Sequence, residues 1–317
     1  MPPWGWWPLA LVGLALWDWM LVGQRGPVRF RRTVVFALAW FAPALWWMWR
    51  FSAPGYVVVL IIFAVIQGLA TLTIPGPPDD RWRWLVLPSA LTATEALRFC
   101  FPFGGVPLAS LPIGQAAGPL AGVARIGGPV LLTLVTALIG TNLRRVLQPI
   151  VTSSCPLRTR LIPTASALVF VPGVIGLGAL APRGADTGET VNVTIVQGGG
   201  PQGTRAVNTD ARDAVDRTLA ATRTFSGTTD VVIWPENIVN VTRLDTSTEL
   251  REVAEQAARI GAPILIGVTE RDSNPRKFHN YHVVVMPDGS LGSRYEKKRR
   301  VPFGEYMPMR GFLAGIG

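Results

Sequence analysis

The apolar residues of the first 181 positions are gathered into long stretches separated by short polar connections. Six such stretches occur, at 4–22, 32–51, 55–74, 84–101, 126–147 and 160–181. Each is close to the ~20 residues that a helix needs to cross a ~30 Å hydrocarbon layer. Tryptophan residues cluster at several of their ends, as they do at membrane–water interfaces. The pattern predicts a polytopic α-helical membrane domain over 1–181 with six spans.

The cations between these stretches predict how the spans are oriented. The first, third and fifth connections hold most of them, at Arg25, Arg29, Arg31, Arg32, Arg81, Arg83, Arg144, Arg145, Arg158 and Arg160. Because cation-rich loops stay in the cytoplasm, residues from about 182 onward are expected on the extracytoplasmic side. Met1 then also lies outside with no span before it, so we expect a segment upstream of this chain.

From residue 182 the long apolar stretches give way to short alternating ones. A linker is predicted at 182–189 and a second domain at 190–317. Strands are expected at 190–197, 230–234 and 263–269, a hairpin at 281–295, and amphipathic helices at 207–225 and from Leu250 onward. Strands that alternate with helices and are followed by a hairpin indicate an α/β layered domain.

Composition supports a membrane protein and argues against several other classes. The chain is 49% hydrophobic with a net charge of +10, and cationic loops beside membrane spans explain that charge without a nucleic-acid partner. Cys100 and Cys155 are too few for a disulfide scaffold. His279 and His282 are three apart on a strand and point to opposite faces, so no metal site is predicted. The glycine run 198–203 lacks the Lys-Ser/Thr of a phosphate loop, and no cofactor is expected.

Three ionisable residues follow predicted strands and form a candidate catalytic set. Glu236 comes directly after Trp234 and Pro235, where burial is expected to raise its pKa toward the range of a general base. Lys297 and Glu305 lie eight positions apart in a loop rich in proline and aromatic residues. A base, a cation and a second carboxylate form a catalytic set that lacks only a nucleophile. The alternatives are a solvated loop carboxylate and a solvated basic turn.

Several motifs in the second domain resemble those of a known family. They are Val231-Val232-Ile233-Trp234-Pro235-Glu236, Phe278-x-Asn280, Pro287-Asp288-Gly289, and Tyr295-x-Lys297 followed by Val301-Pro302-Phe303-Gly304-Glu305-Tyr306-x-Pro308. They resemble the apolipoprotein N-acyltransferase family, membrane-embedded members of the nitrilase (carbon–nitrogen hydrolase) superfamily, and the glycine run is similar to that of its actinobacterial members. The resemblance implies an extracytoplasmic αββα sandwich, of which 190–317 is an incomplete part.

The resemblance also implies an activity and a role for each candidate. Glu236 matches the general base, Lys297 the catalytic lysine and Glu305 a second essential glutamate. The implied reaction transfers an acyl chain from a phospholipid to the α-amine of a diacylglyceryl-cysteine lipoprotein, through a cysteine thioester. The implied partners are the phospholipid donor, the lipoprotein acceptor and the lipid bilayer, and the implied location is the bacterial plasma membrane.

The chain departs from the family pattern in its nucleophile. The family's cysteine follows the Glu305 block by some tens of residues, beyond Gly317. Cys100 lies in or beside a span and Cys155 in a predicted cytoplasmic loop, so neither matches it. The family has eight spans, and the six seen here match its second to seventh. We therefore expect a chain truncated at both ends and inactive as it stands.

Two other functions are compatible with the sequence. A membrane-tethered amidase of the same superfamily uses the same glutamate and lysine but attacks its substrate with water. A non-catalytic membrane scaffold, which anchors a partner enzyme, needs no nucleophile. Assays of acyl transfer against release of free acid separate the first alternative from the transferase, and the sequence beyond Gly317 bears on the second.

Overall fold

The computed structural model describes residues 5–76, 82–102, 104–151, 157–200, 210–274, 277–301, 305–306 and 311. The chain divides into two compact units, Met1–Ala185 and Asp186–Met307. Among the described residues the first unit contains helices and no strand, whereas the second contains a sheet and two helices.

The six long helices of the first unit overlap the six predicted apolar stretches, and two short helices are also present among the described residues. They are α1 Trp7–Leu21, α2 Gly26–Ala44, α3 Met48–Phe51, α4 Ala53–Ala70, α5 Arg83–Arg98, α6 Leu111–Gly114, α7 Ala124–Val151 and α8 Leu157–Leu180. Each of the six apolar stretches overlaps one long helix. Two helical segments, Ala53–Thr73 and Ala121–Arg145, are long and apolar enough by themselves to cross a membrane.

Helix α2 begins earlier than its apolar pattern predicts. Its first turn contains Pro27. Proline suits this position because its φ angle is already helical and because a backbone N–H in the first turn has no acceptor within the helix. Arg29 consequently lies on the helix rather than in a loop, is buried, and donates hydrogen bonds to the carbonyl oxygens of Ile74 and Pro75 at 2.7 and 3.1 Å. Arg29, which was predicted to lie in a loop, therefore joins the start of α2 to the segment that follows α4.

A buried carboxylate connects three helices of the first unit. Asp18 of α1 accepts hydrogen bonds from Arg83 of α5, at 3.0 and 2.9 Å, and from Arg144 of α7, at 2.6 Å. Asp18 and Arg83 are both at most 3% exposed. A charge out of water is tolerated when it is paired and hydrogen-bonded, so this cluster fixes the three helices relative to one another.

Replacing Asp18 with alanine is expected to destabilise the first unit strongly. The change leaves two guanidinium groups without their shared counter-charge, and breaking a buried ion pair in this way costs about 3–5 kcal/mol. Thermal unfolding of the detergent-solubilised protein measures the loss. The exposed Asp245, paired with Arg243 in the second unit, provides the control, since Asp245→Ala is expected to leave the unfolding temperature unchanged. Equal unfolding temperatures for both variants contradict a structural role for the cluster.

A second buried pair holds the irregular segment that follows α5. Arg98 lies between the rings of Phe41 and Phe63, 4.5 and 4.3 Å from their centroids, and forms an ion pair with Glu95. The carbonyl of Arg98 accepts the Val106 amide at 2.9 Å. The amide of Leu111 donates to Glu95 at 3.0 Å. Backbone amides of the non-helical segment thereby find acceptors within the protein. Such internal hydrogen bonds are needed wherever water is excluded.

The second unit is built on one mixed sheet. Its elements are β1 Val193–Ile195, α9 Ala211–Arg223, β2 Val231–Ile233, β3 Val239–Val241, α10 Thr248–Ile260, β4 Ile264–Arg271, β5 Phe278–Val285 and β6 Leu291–Glu296. The strand order is β1-β2-β4-β5-β6, with β3 also paired to β4. The pairs β1–β2, β2–β4 and β3–β4 are parallel, whereas β4–β5 and β5–β6 are antiparallel.

The predicted strands, helices and hairpin of this unit are confirmed, and β3 is an addition. Helices α9 and α10 begin at Asp210 and Ser247, whose side chains accept hydrogen bonds from backbone amides of the first turn. Both helices pack against one face of the sheet in a single core that includes Val232, Trp234 and Ile266. An α/β layered arrangement is therefore present.

The other face of the sheet carries an apolar row among the described residues. The strand registers align Ile195, Ile233, Leu265 and Val284 across four neighbouring strands. None of these side chains is fully buried, and Ile195 is 77% exposed. The candidate catalytic residues lie around the end of this same face, where β2 and β6 end.

Candidate active site

Glu236 is held by a sharp turn at the end of β2. The amide of Trp234 still donates to the carbonyl of Leu265 on β4, at 2.9 Å, before the chain leaves the sheet. Asn237 then adopts a left-handed backbone with φ of 58°. The turn lies directly on Gly267 of β4, where a Cβ atom would come within 2.5 Å of the Pro235 carbonyl oxygen and 2.7 Å of the Glu236 Cα. Only glycine allows this approach.

Replacing Gly267 with alanine is expected to displace Glu236 and to destabilise the second unit. The added methyl group meets backbone atoms rather than a flexible side chain, and overpacking of this kind costs about 1–3 kcal/mol. A displacement of about 1 Å at a catalytic group can lower a rate by about 10²-fold.

Thermal unfolding measures the loss of stability in the Gly267 variant, and the rate of the acyl transfer that the family resemblance implies measures the displacement of Glu236. The matched control is Gly292→Ala on β6, where the nearest atom is a side-chain carbon of Val284 at 3.3 Å. A Gly267→Ala variant that matches this control in both measurements contradicts the close-approach argument.

Lys297 and Glu305 are placed by the end of the hairpin and the segment after it. The Lys297 amide donates to the Asn280 carbonyl at 2.9 Å, which continues the ladder between β6 and β5. Glu305 is tied to Val301 in both directions: its amide donates to the Val301 carbonyl at 2.8 Å, and its Oε2 accepts the Val301 amide at 2.7 Å.

The three candidate residues meet at the Lys297 ammonium. Its Nζ lies 2.7 Å from Oε1 of Glu236 and 2.7 Å from Oε1 of Glu305. The three residues were predicted to form one candidate catalytic set, and the structure brings the two carboxylates into contact with the same ammonium. Glu236 comes from 61 positions earlier in the chain, so the contact depends on the sheet bringing the ends of β2 and β6 together.

Asn280 contacts the same two carboxylate oxygens. Its Nδ2 lies 3.1 Å from Oε1 of Glu236 and 3.0 Å from Oε1 of Glu305. In the sequence Asn280 stood out only as part of the Phe278-x-Asn280 motif, and its contact with the carboxylates was not predicted. The available signal was the alternation along β5, which places Asn280 on the face opposite the buried Tyr281.

The electrostatics of Glu236 differ from the expectation. Its side chain is 45% exposed, against 14% for Glu305. The hydrogen bond from Lys297 lowers the pKa of Glu236 and outweighs the opposing effect of burial. The prediction that burial beside Trp234 raises this pKa was wrong, because a cation supplied from another strand contacts the carboxylate. Glu236 is therefore ionised at neutral pH.

Lys297 is stabilised in its charged form. Burial by itself lowers the pKa of its ammonium, but the hydrogen bonds to Glu236 and Glu305 act in the other direction, and the net effect raises the pKa. An ammonium has three N–H donors, of which these contacts use two. The described residues provide no further acceptor for the ammonium, so the third N–H can bind a group with negative charge, such as the oxyanion of a tetrahedral intermediate.

The two carboxylates differ in the oxygen that they leave free. Both oxygens of Glu305 accept hydrogen bonds, Oε1 from Lys297 and Asn280 and Oε2 from the Val301 amide. The hydrogen bonds to Glu236 from the described residues reach Oε1. Glu236 thus has an oxygen that can take a proton, whereas Glu305 is suited to holding Lys297 in place.

Of the two histidines, His282 lies on the same face of β5 as Asn280, and His279 lies on the opposite face. On the other face of β5, His279 contacts Glu296 through Nδ1 at 2.7 Å and Asp272 through Nε2 at 2.9 Å. Within the part of the chain that is described, no group of three potential metal ligands occurs. Cys100 is exposed at the end of α5 in the first unit, and Cys155 lies outside the described residues.

Comparison with known proteins assigns each half of the chain to a domain. Residues 1–141 match the apolipoprotein N-acyltransferase N-terminal domain, and residues 192–313 match the carbon–nitrogen hydrolase domain. Proteins with that name match almost the full chain. These matches support the identification of the chain with the apolipoprotein N-acyltransferase family. This confirms the resemblance and the nitrilase-like class of the second unit.

Three relatives named apolipoprotein N-acyltransferase show the extent of the similarity. The protein of Mycolicibacterium smegmatis is 30% identical over 98% of this chain, that of Pseudomonas putida 27% over 98%, and that of Azotobacter vinelandii 29% over 99%. The chain spans 57%, 57% and 63% of the lengths of these relatives, respectively.

Solved structures of an N-terminal amidase also match part of the chain. The free enzyme is 17% identical with a TM-score of 0.26, and its complex with an Asn-Glu-Ala peptide is 18% identical with a TM-score of 0.27. Each match covers 34% of this chain and 28% of the amidase chain.

Proposed function

We propose that this chain is part of an enzyme that transfers an acyl chain from a phospholipid to the N-terminal α-amine of a diacylglyceryl-cysteine lipoprotein. The observation that carries the proposal is the contact of Lys297 with both Glu236 and Glu305. It joins a proton acceptor to a fixed cation with a spare donor, which acyl transfer requires. The names of the relatives supply the substrate class.

In the first step a cysteine thiol attacks the ester carbonyl of the phospholipid. In the family pattern, this cysteine follows the segment that corresponds to Glu305. Glu236 accepts the thiol proton as the C–S bond forms, and the spare N–H of Lys297 stabilises the oxyanion. The C–O bond then breaks, and Glu236 returns the proton to the departing oxygen of the lysophospholipid. The products are a thioester and a lysophospholipid.

In the second step the neutral α-amine of the lipoprotein attacks the thioester. The C–N bond forms and Lys297 again stabilises the oxyanion. Glu236 takes a proton from the attacking nitrogen and delivers it to the sulfur as the C–S bond breaks. The products are an N-acylated lipoprotein and the free thiol, so the enzyme returns to its starting state without a cofactor.

We further propose that residues 1–181 form six membrane spans, with 182–189 as a linker and 190–317 on the extracytoplasmic side as the first part of the catalytic domain. The six long helices that overlap the apolar stretches support this arrangement. A membrane unit also suits the reaction, because both substrates are lipids. Labelling of a cysteine introduced at Asp186 with a membrane-impermeant reagent, applied to intact cells, tests it; protection until the cells are opened contradicts it.

Acyl transfer by the full-length protein is the direct test of the function. The protein is incubated with a phospholipid labelled in its acyl chains and with a diacylglyceryl-cysteine peptide. The labelled chain is expected on the peptide amine, and a peptide with an acetylated amine serves as the control. Recovery of the label only as free fatty acid contradicts the proposal and supports hydrolysis instead.

A further inference from the structure

Asn280 and Lys297 form a matched pair of donors around the two carboxylates. Both side chains reach Oε1 of Glu236 and Oε1 of Glu305, the ammonium at 2.7 Å to each oxygen and the amide at 3.1 and 3.0 Å. The Lys297 amide also donates to the Asn280 carbonyl at 2.9 Å. The two donors are therefore fixed to each other through the backbone as well as through the oxygens that they share.

The arrangement addresses a physical difficulty in the site. Two carboxylates that bind one cation repel each other, and repulsion favours separation or protonation of one of them. A primary amide has two N–H donors and adds no charge, so it can bind one hydrogen to each carboxylate. The opposite amide orientation would direct a carbonyl oxygen at both carboxylates, so the donor orientation is the one that fits.

We propose that Asn280 is a positioning residue, whose side-chain amide holds Glu236 and Glu305 together around Lys297 and keeps Glu236 as the ionised proton acceptor. This role rests on the proposed function. Asn280 acts through Glu236 and Lys297 and needs no contact with the substrate. When the third donor of Lys297 engages an oxyanion, the amide keeps both carboxylates in position.

The charges around Glu236 agree with this role. The pKa of Glu236 is lowered first by the hydrogen bond from Lys297, against the effect of burial, and then by the hydrogen bond from Asn280. His282, on the same face of β5, contributes a smaller electrostatic effect in the same direction. Glu305, which shares the cation, is the carboxylate that faces Glu236. Loss of the amide therefore shifts the titration of Glu236 to higher pH.

Two substitutions separate positioning from space filling. Asn280→Ala removes the donor and leaves a gap, whereas Asn280→Asp keeps the shape but directs a third acceptor at the two carboxylates. If the amide acts as a donor, the aspartate variant is expected to be the more impaired of the two. If Asn280 only fills space, the aspartate variant is the better tolerated, and that result overturns the proposal. Asn192→Ala, at an exposed position before β1, is the matched control.

The kinetic test measures acyl-enzyme formation by the full-length protein as a function of pH. Because hydrogen bonds to charged groups are strong, the loss of the amide in Asn280→Ala is expected to lower the maximal rate by about 10- to 100-fold. The KM for phospholipid is expected to stay unchanged. The acid limb of the profile is expected to move to higher pH in Asn280→Ala. A wild-type rate with an unmoved acid limb overturns the proposal.

A second measurement does not depend on catalysis. Carboxyl ¹³C resonances of protein labelled at glutamate follow the titration of Glu236, which is assigned by its loss in Glu236→Gln. An upward shift of this titration in Asn280→Ala that is absent in Asn192→Ala supports the positioning role of Asn280. A titration that stays where it is in Asn280→Ala overturns that role. If the wild-type protein transfers no acyl chain, the proposed function fails, while this titration still decides the role of Asn280.

Discussion

Replacing Lys297 with alanine is expected to lower the rate of acyl-enzyme formation in the full-length protein by at least about 10²- to 10³-fold, the effect of removing one oxyanion donor. A second loss adds to the first. The lysine is the main cause of the low pKa of Glu236 and the shared partner of Glu305. Without it, two neighbouring carboxylates repel each other and Glu236 titrates at higher pH.

The measurement is the amount of labelled acyl chain that becomes attached to the protein within the first turnover. Lys298→Ala is the matched control, because Lys298 is the next residue and is exposed. Lys297→Arg tests geometry, since a planar guanidinium keeps the charge but not the compact ammonium that two carboxylates share. Undiminished labelling in Lys297→Ala contradicts the assigned role.

Replacing Glu236 with glutamine is expected to reduce acyl-enzyme formation by about 10²- to 10⁴-fold, the usual contribution of a general base. The substitution preserves the size of the side chain but removes the oxygen that takes the proton. Because the pKa of Glu236 is lowered in the folded protein, the base is ionised at neutral pH and is lost only as the pH falls through that lowered value. The wild-type acid limb is therefore expected below the pH at which an ordinary glutamate titrates.

Glu305→Gln provides a comparison for the Glu236 result. Both glutamates contact Lys297 at 2.7 Å, but in the described part of the chain both oxygens of Glu305 accept hydrogen bonds whereas only Oε1 of Glu236 does. Raising the thiolate fraction by assaying at alkaline pH is expected to restore part of the acylation in Glu236→Gln, because a pre-ionised thiol needs no base for the first step. The same treatment is expected to do less for Glu305→Gln, where the defect is the placement of Lys297. Equal recovery in both variants contradicts this division of roles.

Much of the helical and sheet structure follows from local patterns in the sequence. Six apolar stretches predicted six long helices, and the hairpin of β5 and β6 followed from alternation around Asp288-Gly289. Strand β3 was missed because three residues, Val239–Val241, carry too little pattern, and their pairing with β4 is a tertiary contact. The start of α2 was missed because Arg29, Arg31 and Arg32 interrupt the apolar pattern in its first two turns.

The sequence predicted which residues form the candidate site, but it did not predict the direction in which the pKa of Glu236 is shifted. Glu236, Lys297 and Glu305 were predicted to form one catalytic set because they lie at the ends of predicted strands. The neighbours of Glu236 in the sequence, Trp234 and Pro235, predicted burial and a raised pKa. The decisive group lies 61 positions away, and no local pattern indicates how closely its ammonium approaches the carboxylate.

The reciprocal hydrogen bonds between Val301 and Glu305 have a consequence for sequence variation. Together with the contact between Lys297 and Glu305, these hydrogen bonds link residues 297, 301 and 305. The distance between the Lys297 and Glu305 side chains therefore depends on the number of residues from 297 to 305. The exposed cations Lys298, Arg299 and Arg300 can therefore be exchanged with little effect on that distance. Inserting or deleting a single residue between positions 297 and 305 is instead expected to move the Glu305 carboxylate relative to the Lys297 ammonium. In this segment, length is under tighter constraint than composition.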